Sequence, residues 1–315
     1  MNPLRFEGRV AVVTGAGRGL GRAYALLLAA RGARVVVNDL GGSMDGKGAD
    51  TGVADAVSGE IVAAGGEAVA DHSDVATATG AQTLIETALE HFGRLDVLVN
   101  NAGIIRWAGP PEADQENLAQ HLAVHVVGSF LTARSAWPYM VEQEYGRIVM
   151  TTSSGMFGLP NNVSYATAKA AVVGMTRSLT TAGAPMGIKV NLIAPAAFTR
   201  MAGRAPADGG SSGAGSEPPQ MSPELVAPMV AFLSHESCPV SGEIYAAGAG
   251  RFSRIFLAST EGYVQTTRDP TVEDVAEHWA EINDETGYYL PPDLSGWSAA
   301  FMAHLLPGAA GPAGS

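Results

Sequence analysis

The amino-acid sequence predicts an α/β protein, a doubly wound parallel sheet in a single domain with a C-terminal extension. Three features predict it. Short apolar runs alternate with helical patterns from residue 10 to about residue 247. The runs are almost continuously apolar, as strands buried on both faces must be. The first run also leads into a glycine-rich turn that opens a helical stretch, Thr14-Gly15-Ala16-Gly17-Arg18-Gly19-Leu20-Gly21. Strand–helix alternation implies right-handed crossovers, and hence a sheet whose ligands gather at the carboxyl ends of its strands.

About seven strands are expected, at Val10–Thr14, Arg34–Asn38, Glu67–Ala70, Leu95–Asn100, Arg147–Thr152, Ile188–Ile193 and Glu243–Ala247. Helical stretches between them include Leu20–Arg31, Thr77–Phe92, Glu116–Glu142 and Ser164–Thr181. Residues 1–250 make the expected nucleotide-binding catalytic domain and 251–315 the extension. Two stretches break the rhythm. Residues 202–220 are rich in Gly, Ser and Pro and follow a strand end, which predicts a flexible substrate lid or a surface insertion. The tail, residues 284–315, carries Tyr288, Tyr289 and Trp297 and is read as a cover or a partner contact, its last eight residues disordered.

Of the 315 residues 46% are hydrophobic, ample for a buried core, and the formal charge is −12. That charge argues against nucleic acid or an anionic membrane as partner. The single cysteine, Cys238, rules out an internal disulfide and a multi-cysteine metal site, and no metal is expected. No apolar run reaches the roughly 18 residues of a membrane span, and the N-terminus lacks the pattern of a signal peptide. A cytoplasmic enzyme is the expectation.

The glycine spacing Gly15-x-x-x-Gly19-x-Gly21 lets the backbone approach a pyrophosphate, which the N–H groups of the next helix can hold. Asp39 ends the second strand, where a carboxylate accepts hydrogen bonds from ribose hydroxyls and repels a 2′-phosphate, selecting NAD over NADP. Arg18 points the other way, since a basic side chain here could pair with that phosphate. The repulsion from Asp39 is taken as the stronger, though a plain turn residue before Gly41-Gly42 is the alternative. Asp74 and Val75 are placed to meet the adenine, Asp74 being alternatively a helix N-terminal carboxylate. In Asn100-Asn101-Ala102-Gly103, the amides can stitch strand ends together while Gly103 lets the chain pass near the cofactor.

Tyr165 and Lys169 stand one helical turn apart on one face. A free phenol titrates near pH 10, too high for a base at neutral pH, and a fixed cation beside it, together with the positive nicotinamide of an oxidised cofactor, lowers that value.

The glycine turn, Asn-Asn-Ala-Gly, a serine-bearing strand end and Tyr165-x-x-x-Lys169 occur in an order and spacing that resembles the short-chain dehydrogenases/reductases, over about residues 8–250. The resemblance implies a Rossmann fold, a nicotinamide cofactor and a Ser–Tyr–Lys centre. Tyr165 would be the acid/base, and Lys169 would bind the nicotinamide ribose and tune the phenol. The serine is Ser153 counting from Arg147, with Ser154 in reserve, while counting back from Tyr165 points to Thr152. His125 occupies the place where many members put an asparagine that supports a water chain to the lysine. Its alternative is a packing residue. Pro195 and Thr199 lie in a stretch like the family's nicotinamide loop.

Ala33–Gly42, the His125 segment, Ala136-Trp137-Pro138, Tyr145–Met150 and Phe232–Cys238 resemble one branch, the (3R)-hydroxyacyl-CoA dehydrogenase part of peroxisomal multifunctional enzyme type 2. That likeness implies oxidation of a (3R)-3-hydroxyacyl thioester with reduction of NAD. A hydroxysteroid, another lipid alcohol or a 3-oxoacyl thioester reduced in reverse are the alternatives. Arg106, Arg200, Arg204, Arg251 and Arg254 could hold a CoA phosphate or be ordinary surface arginines. The family also implies a homodimer or tetramer paired through the helices at Glu116–Glu142 and Ser164–Thr181.

Overall fold

The computed structural model describes residues 3–198 and 221–305. The segment 202–220, Thr199, Arg200, Arg204 and the last eight residues therefore lie outside the described residues. The chain divides into two compact units, Met1–Arg254 and Ile255–Ser315.

In the first unit the elements follow in the order β1 (Val10–Thr14), α1 (Gly19–Ala30), β2 (Arg34–Asn38), α2 (Gly52–Ala63), β3 (Glu67–Asp71) and α3 (Ala78–Phe92). Then come β4 (Val97–Asn100), α4 (Gln115–His121), a π-helical segment (Leu122–Gly128), α5 (Ser129–Glu142), β5 (Gly146–Thr151) and α6 (Val163–Gly183). The unit closes with β6 (Ile188–Pro195), α7 (Ala227–Ser234), β7 (Ile244–Gly248) and β8 (Arg251–Ile255), the last of which runs one residue past the unit boundary. The sheet order is β3-β2-β1-β4-β5-β6-β7-β8. The pairings along β3 to β7 are all parallel.

Among the described residues the sheet thus has eight strands, one more than the seven expected. Arg251–Ile255 was not anticipated because its pattern is polar and its side chains are mostly exposed, as on an edge strand. Helix α2 was also unforeseen, its glycine and serine content masking a buried face of Val53, Val57 and Ile61. The long helix expected over 116–142 is real in extent but changes pitch at Leu122–Gly128.

Side chains alternate across the sheet. Ala11, Val13, Val35, Val37, Val97 and Val99 join one core with Tyr24 and Leu28 of α1 and Val230 and Leu233 of α7. Val12, Val36 and Leu98, equally buried, point to the opposite face, the side of α3, α5 and α6. Covering both faces forces function to an edge, and in a parallel sheet one edge collects every strand's carboxyl end.

The opposite edge is tied by Asp96, whose side chain is wholly buried. It accepts hydrogen bonds from the Val10 amide (2.9 Å), from Arg9 (2.9 Å) and from Arg94 (2.7 and 2.8 Å). One carboxylate therefore locks the start of β1 beside that of β4.

The second unit is built from α8 (Val272–Glu277), α9 (Trp279–Ile282) and α10 (Leu294–Phe301). Ser259 and Tyr289 exchange backbone hydrogen bonds of 3.0 and 2.9 Å, and Thr271 and Asp274 form a reciprocal cap on α8. Among its described residues only Asp274 is buried.

Replacing Asp96 by Ala leaves two arginines and an amide without their shared acceptor. The expected cost is about 3 kcal/mol, read as a lower urea midpoint. An unchanged midpoint would show that this edge is not held by the carboxylate.

Candidate active site

The glycine turn follows β1 directly, and its geometry needs glycine. Gly15 and Gly19 have φ of +61° and +52°. A Cβ on Gly21 would come within 2.2 Å of the Gly15 carbonyl oxygen, so α1 can cross the turn this closely only without a side chain there. Arg18, the N-cap of α1, supplies no side-chain acceptor, and no acidic residue occupies the first turn. The positive end of α1 is thus open toward an anion.

Beside it lies a cleft of about 640 Å³ lined by Gly15, Arg18, Gly19, Leu20 and Gly21, by Asp39, by Asp74 and Val75, and by Asn101, Ala102 and Gly103. All eleven sequence-predicted residues of the first four strand ends meet in this one space. Its size, its glycine cradle and the carboxylate of Asp39 in its wall fit a nicotinamide dinucleotide.

Asn101 stitches the crevice as expected. Its Nδ2 donates to the carbonyls of Thr14 (2.9 Å) and Gly15 (3.0 Å), and the Thr14 hydroxyl accepts from the amides of Asn101 and Ala102, each at 3.0 Å. Asp39 accepts from the Gly17 amide (2.9 Å) and the Gly41 amide (2.7 Å), which fixes its carboxylate facing the cleft. Arg18 leans toward the Gly42 carbonyl (3.5 Å) and the Asp50 carboxylate (3.9 Å). Asp74 does not cap α3. Thr77 does, and Asp74 instead accepts from the Ala76 amide in a tight turn.

Pro195 ends β6 but does not line the cleft, whereas Phe198, three residues on, does. Sequence reasoning also missed Ser43, Met44, Gly46 and Ile104 in the cleft wall. Their signal was weak, because a Gly/Ser/Asp/Lys loop reads as solvent-exposed until its partner is known.

The second cluster sits where β5 ends and α6 begins. Asn162 caps α6, its Oδ1 accepting from the Tyr165 amide at 3.2 Å, which sets Tyr165 in the first turn. The phenol is hydrogen-bonded with Ser153. The Thr152 hydroxyl is already committed, donating to the Lys169 carbonyl at 2.7 Å. Of the two hydroxyls Ser153 is the one that meets the phenol, while Thr152 holds the helix through the Lys169 carbonyl. The Lys169 amine donates to the Thr151 carbonyl at 2.9 Å and lies 5.7 Å from the Tyr165 ring centroid.

His125 belongs to the π-helical segment, a pitch that single-residue insertions create and that recurs at functional sites. Its Nε2 lies 2.8 Å from the Ile104 carbonyl, while Nδ1 is buried with no partner. The imidazole meets the Tyr165 ring edge-on at 5.4 Å and stacks on His121 at 5.9 Å. Through Ile104, a wall residue of the cleft, His125 connects the two clusters.

Burial dominates the electrostatics here. It pushes the Lys169 ammonium down to about 7 and, with the Lys169 charge adding to it, holds His125 far below its ordinary value, hence neutral. It also raises the Tyr165 phenol, which the Ser153 hydroxyl pulls part-way back. Among the chain's own residues burial outweighs the Ser153 hydrogen bond, so the phenol stands above its ordinary value.

A short chain dehydrogenase family model matches residues 9–208. The chain belongs to that family. It is 44% identical over 286 residues to a short-chain type dehydrogenase/reductase of Mycobacterium tuberculosis, covering 89% of this chain and 96% of the relative. It is also 44% identical over 289 residues to peroxisomal multifunctional enzyme type 2 of Drosophila melanogaster, covering 89% of this chain but only 46% of that enzyme. The structure of the full-length Drosophila enzyme superposes with a TM-score of 0.78 at 35% identity, over 96% of this chain and 50% of that one. A short chain dehydrogenase from Mycobacterium avium gives 0.76 at 37% identity, over 89% and 97%. The chain thus spans about half of the multifunctional enzyme and nearly all of the mycobacterial proteins. It is an oxidoreductase acting on CH–OH groups, and family members generally use NAD or NADP. Among the described residues no helix is long and apolar enough to cross a membrane, and no cluster could hold a metal ion.

The depressed Lys169 has a stability consequence. Between about pH 7 and 10 the unfolded chain keeps a lysine proton that the folded chain has shed, so stability rises with pH through that window. The wild type should gain on Lys169→Met as pH rises, measured by paired urea midpoints. A constant gap would show that the buried amine keeps its charge.

Proposed function

We propose that the chain is an NAD-dependent dehydrogenase that oxidises a secondary alcohol, a (3R)-3-hydroxyacyl-CoA in the first instance, to the ketone. One observation carries the reading: a half-buried tyrosine paired with Ser153, one turn from a buried lysine, at the strand ends beside a cleft lined by Asp39.

The cofactor, when bound, accepts the hydride. Gly15, Gly19, Gly21 and the start of α1 would hold its pyrophosphate, Asp39 its adenosine ribose and Lys169 its nicotinamide ribose. The work of the chain's own groups is proton management. The Ser153 hydroxyl orients the substrate oxygen. The Tyr165 oxygen, having first lost its own proton to solvent, takes the hydroxyl proton as the C–H bond at the carbinol carbon breaks and the carbonyl forms. His125 holds the Tyr165 ring and the Ile104 wall in register. Because burial raises the phenol, oxidation should accelerate with rising pH and reduction should not.

The acyl-thioester class is supported by the likeness to the multifunctional enzyme over most of this chain. The reverse reading, reduction of a 3-oxoacyl thioester, is favoured by 43% identity to a 3-oxoacyl-[acyl-carrier-protein] reductase of Synechocystis over 188 residues. A homodimer through α4, α5 and α6 is proposed too. Val127, Phe130 and Val163 there are 43%, 48% and 42% exposed in the single chain, apolar surface that a second copy would cover.

A screen of 3-hydroxyacyl-CoA and hydroxysteroid substrates with NAD tests the substrate class directly. Tyr165→Phe should lower turnover by about 10²- to 10⁴-fold while leaving NADH binding, followed by fluorescence, intact. Turnover retained in that variant would remove the phenol from the mechanism. Asp39→Ser should shift kcat/KM toward NADP, and wild-type preference for NADP would overturn the assignment of Asp39.

A further inference from the structure

The loop from Leu40 to Asp50 is not a free surface excursion. Its mouth is closed by the Asp50 amide donating to the Leu40 carbonyl at 3.0 Å. Within it the Ser43 amide donates to the Lys47 carbonyl (2.8 Å), the Lys47 amide to the Ser43 hydroxyl (3.0 Å) and the Gly46 amide to the Ser43 carbonyl (3.0 Å). It is a self-closed loop of the compact kind that is frequently functional.

Its tip is anchored elsewhere. The Ile105 amide donates to the Met44 carbonyl at 2.9 Å, and Gly46, with φ of +81°, lies so near that a Cβ would sit 3.2 Å from Ile104 Cγ2. Met44 follows β2 and Ile105 follows β4, yet β1 stands between those strands in the sheet. A bond between their loops must therefore cross the carboxyl end of β1, above the glycine turn. Ser43, Met44, Gly46 and Ile104 all line the cleft that this turn floors.

We propose that residues 40–50 are a strap over the dinucleotide cleft, and that parting of the Met44–Ile105 contact gates cofactor entry and release. This rests on the cofactor reading above. A ligand reaching from Asp39 at the end of β2 toward Tyr165 beyond β4 passes beneath the bridge. The fastening is one backbone hydrogen bond and an apolar contact, weak enough to open in each cycle. Release of reduced cofactor, rather than hydride transfer, is then the step the strap controls.

The test is a reversible lock, Met44→Cys with Ile105→Cys, studied by stopped-flow NADH fluorescence without substrate. Oxidation should close a disulfide, leaving Cys238 as the one free thiol on denaturation where the reduced variant shows three. In the oxidised form association and dissociation should both slow at least about tenfold against the same protein reduced. Gly46→Ala, which crowds Ile104 at a positive φ, should instead speed dissociation. Equal rates in the disulfide-bonded and reduced forms, or unchanged dissociation in Gly46→Ala, would overturn the strap. Failure of the reduced and wild-type proteins to bind NADH at all would overturn the cofactor reading instead.

Discussion

The contact on which the rest depends is the one between Asn101 and the end of β1. Two neutral hydrogen bonds to the carbonyls of Thr14 and Gly15, with the Thr14 hydroxyl answering from the other side, set the width of the crevice between β1 and β4. At that crevice the strand order reverses direction, so no crossover helix fills it. An opening there is geometrically unavoidable. Its dimensions are not, and the amide fixes them. The turn that Gly21 allows α1 to cross, the carboxylate of Asp39 and the wall at Gly103 are all placed relative to that width.

Burial then supplies the chemistry's energetic setting. Lys169 and His125 are buried and Tyr165 half-buried, and each shifts toward its neutral form. A neutral cluster is cheap to keep in a core. The protein thereby avoids holding a phenolate and an ammonium together in the free state.

Much of this was legible beforehand. The strand periodicity, the glycine turn, Asp39 and the Tyr165–Lys169 pair are local patterns in which a few adjacent residues determine the geometry. What escaped were properties set by distant partners. The choice between Thr152 and Ser153 turned on which hydroxyl the Lys169 carbonyl captures, and no spacing rule contains that. The pitch change around His125 has no residue signature, and β8 is polar because it lies at an edge. The sequence also shows the cation beside the phenol but not the depth at which that lysine is buried.

Asp96 has an implication for how such a scaffold diversifies. Its ties to Val10, Arg9 and Arg94 sit at the sheet margin remote from the chemistry. Cohesion and reactivity are thus assigned to opposite rims of one platform. Loops on the reactive rim can be lengthened, recomposed or exchanged during descent with little penalty to the foundation, and new substrates become accessible without a new protein having to be invented.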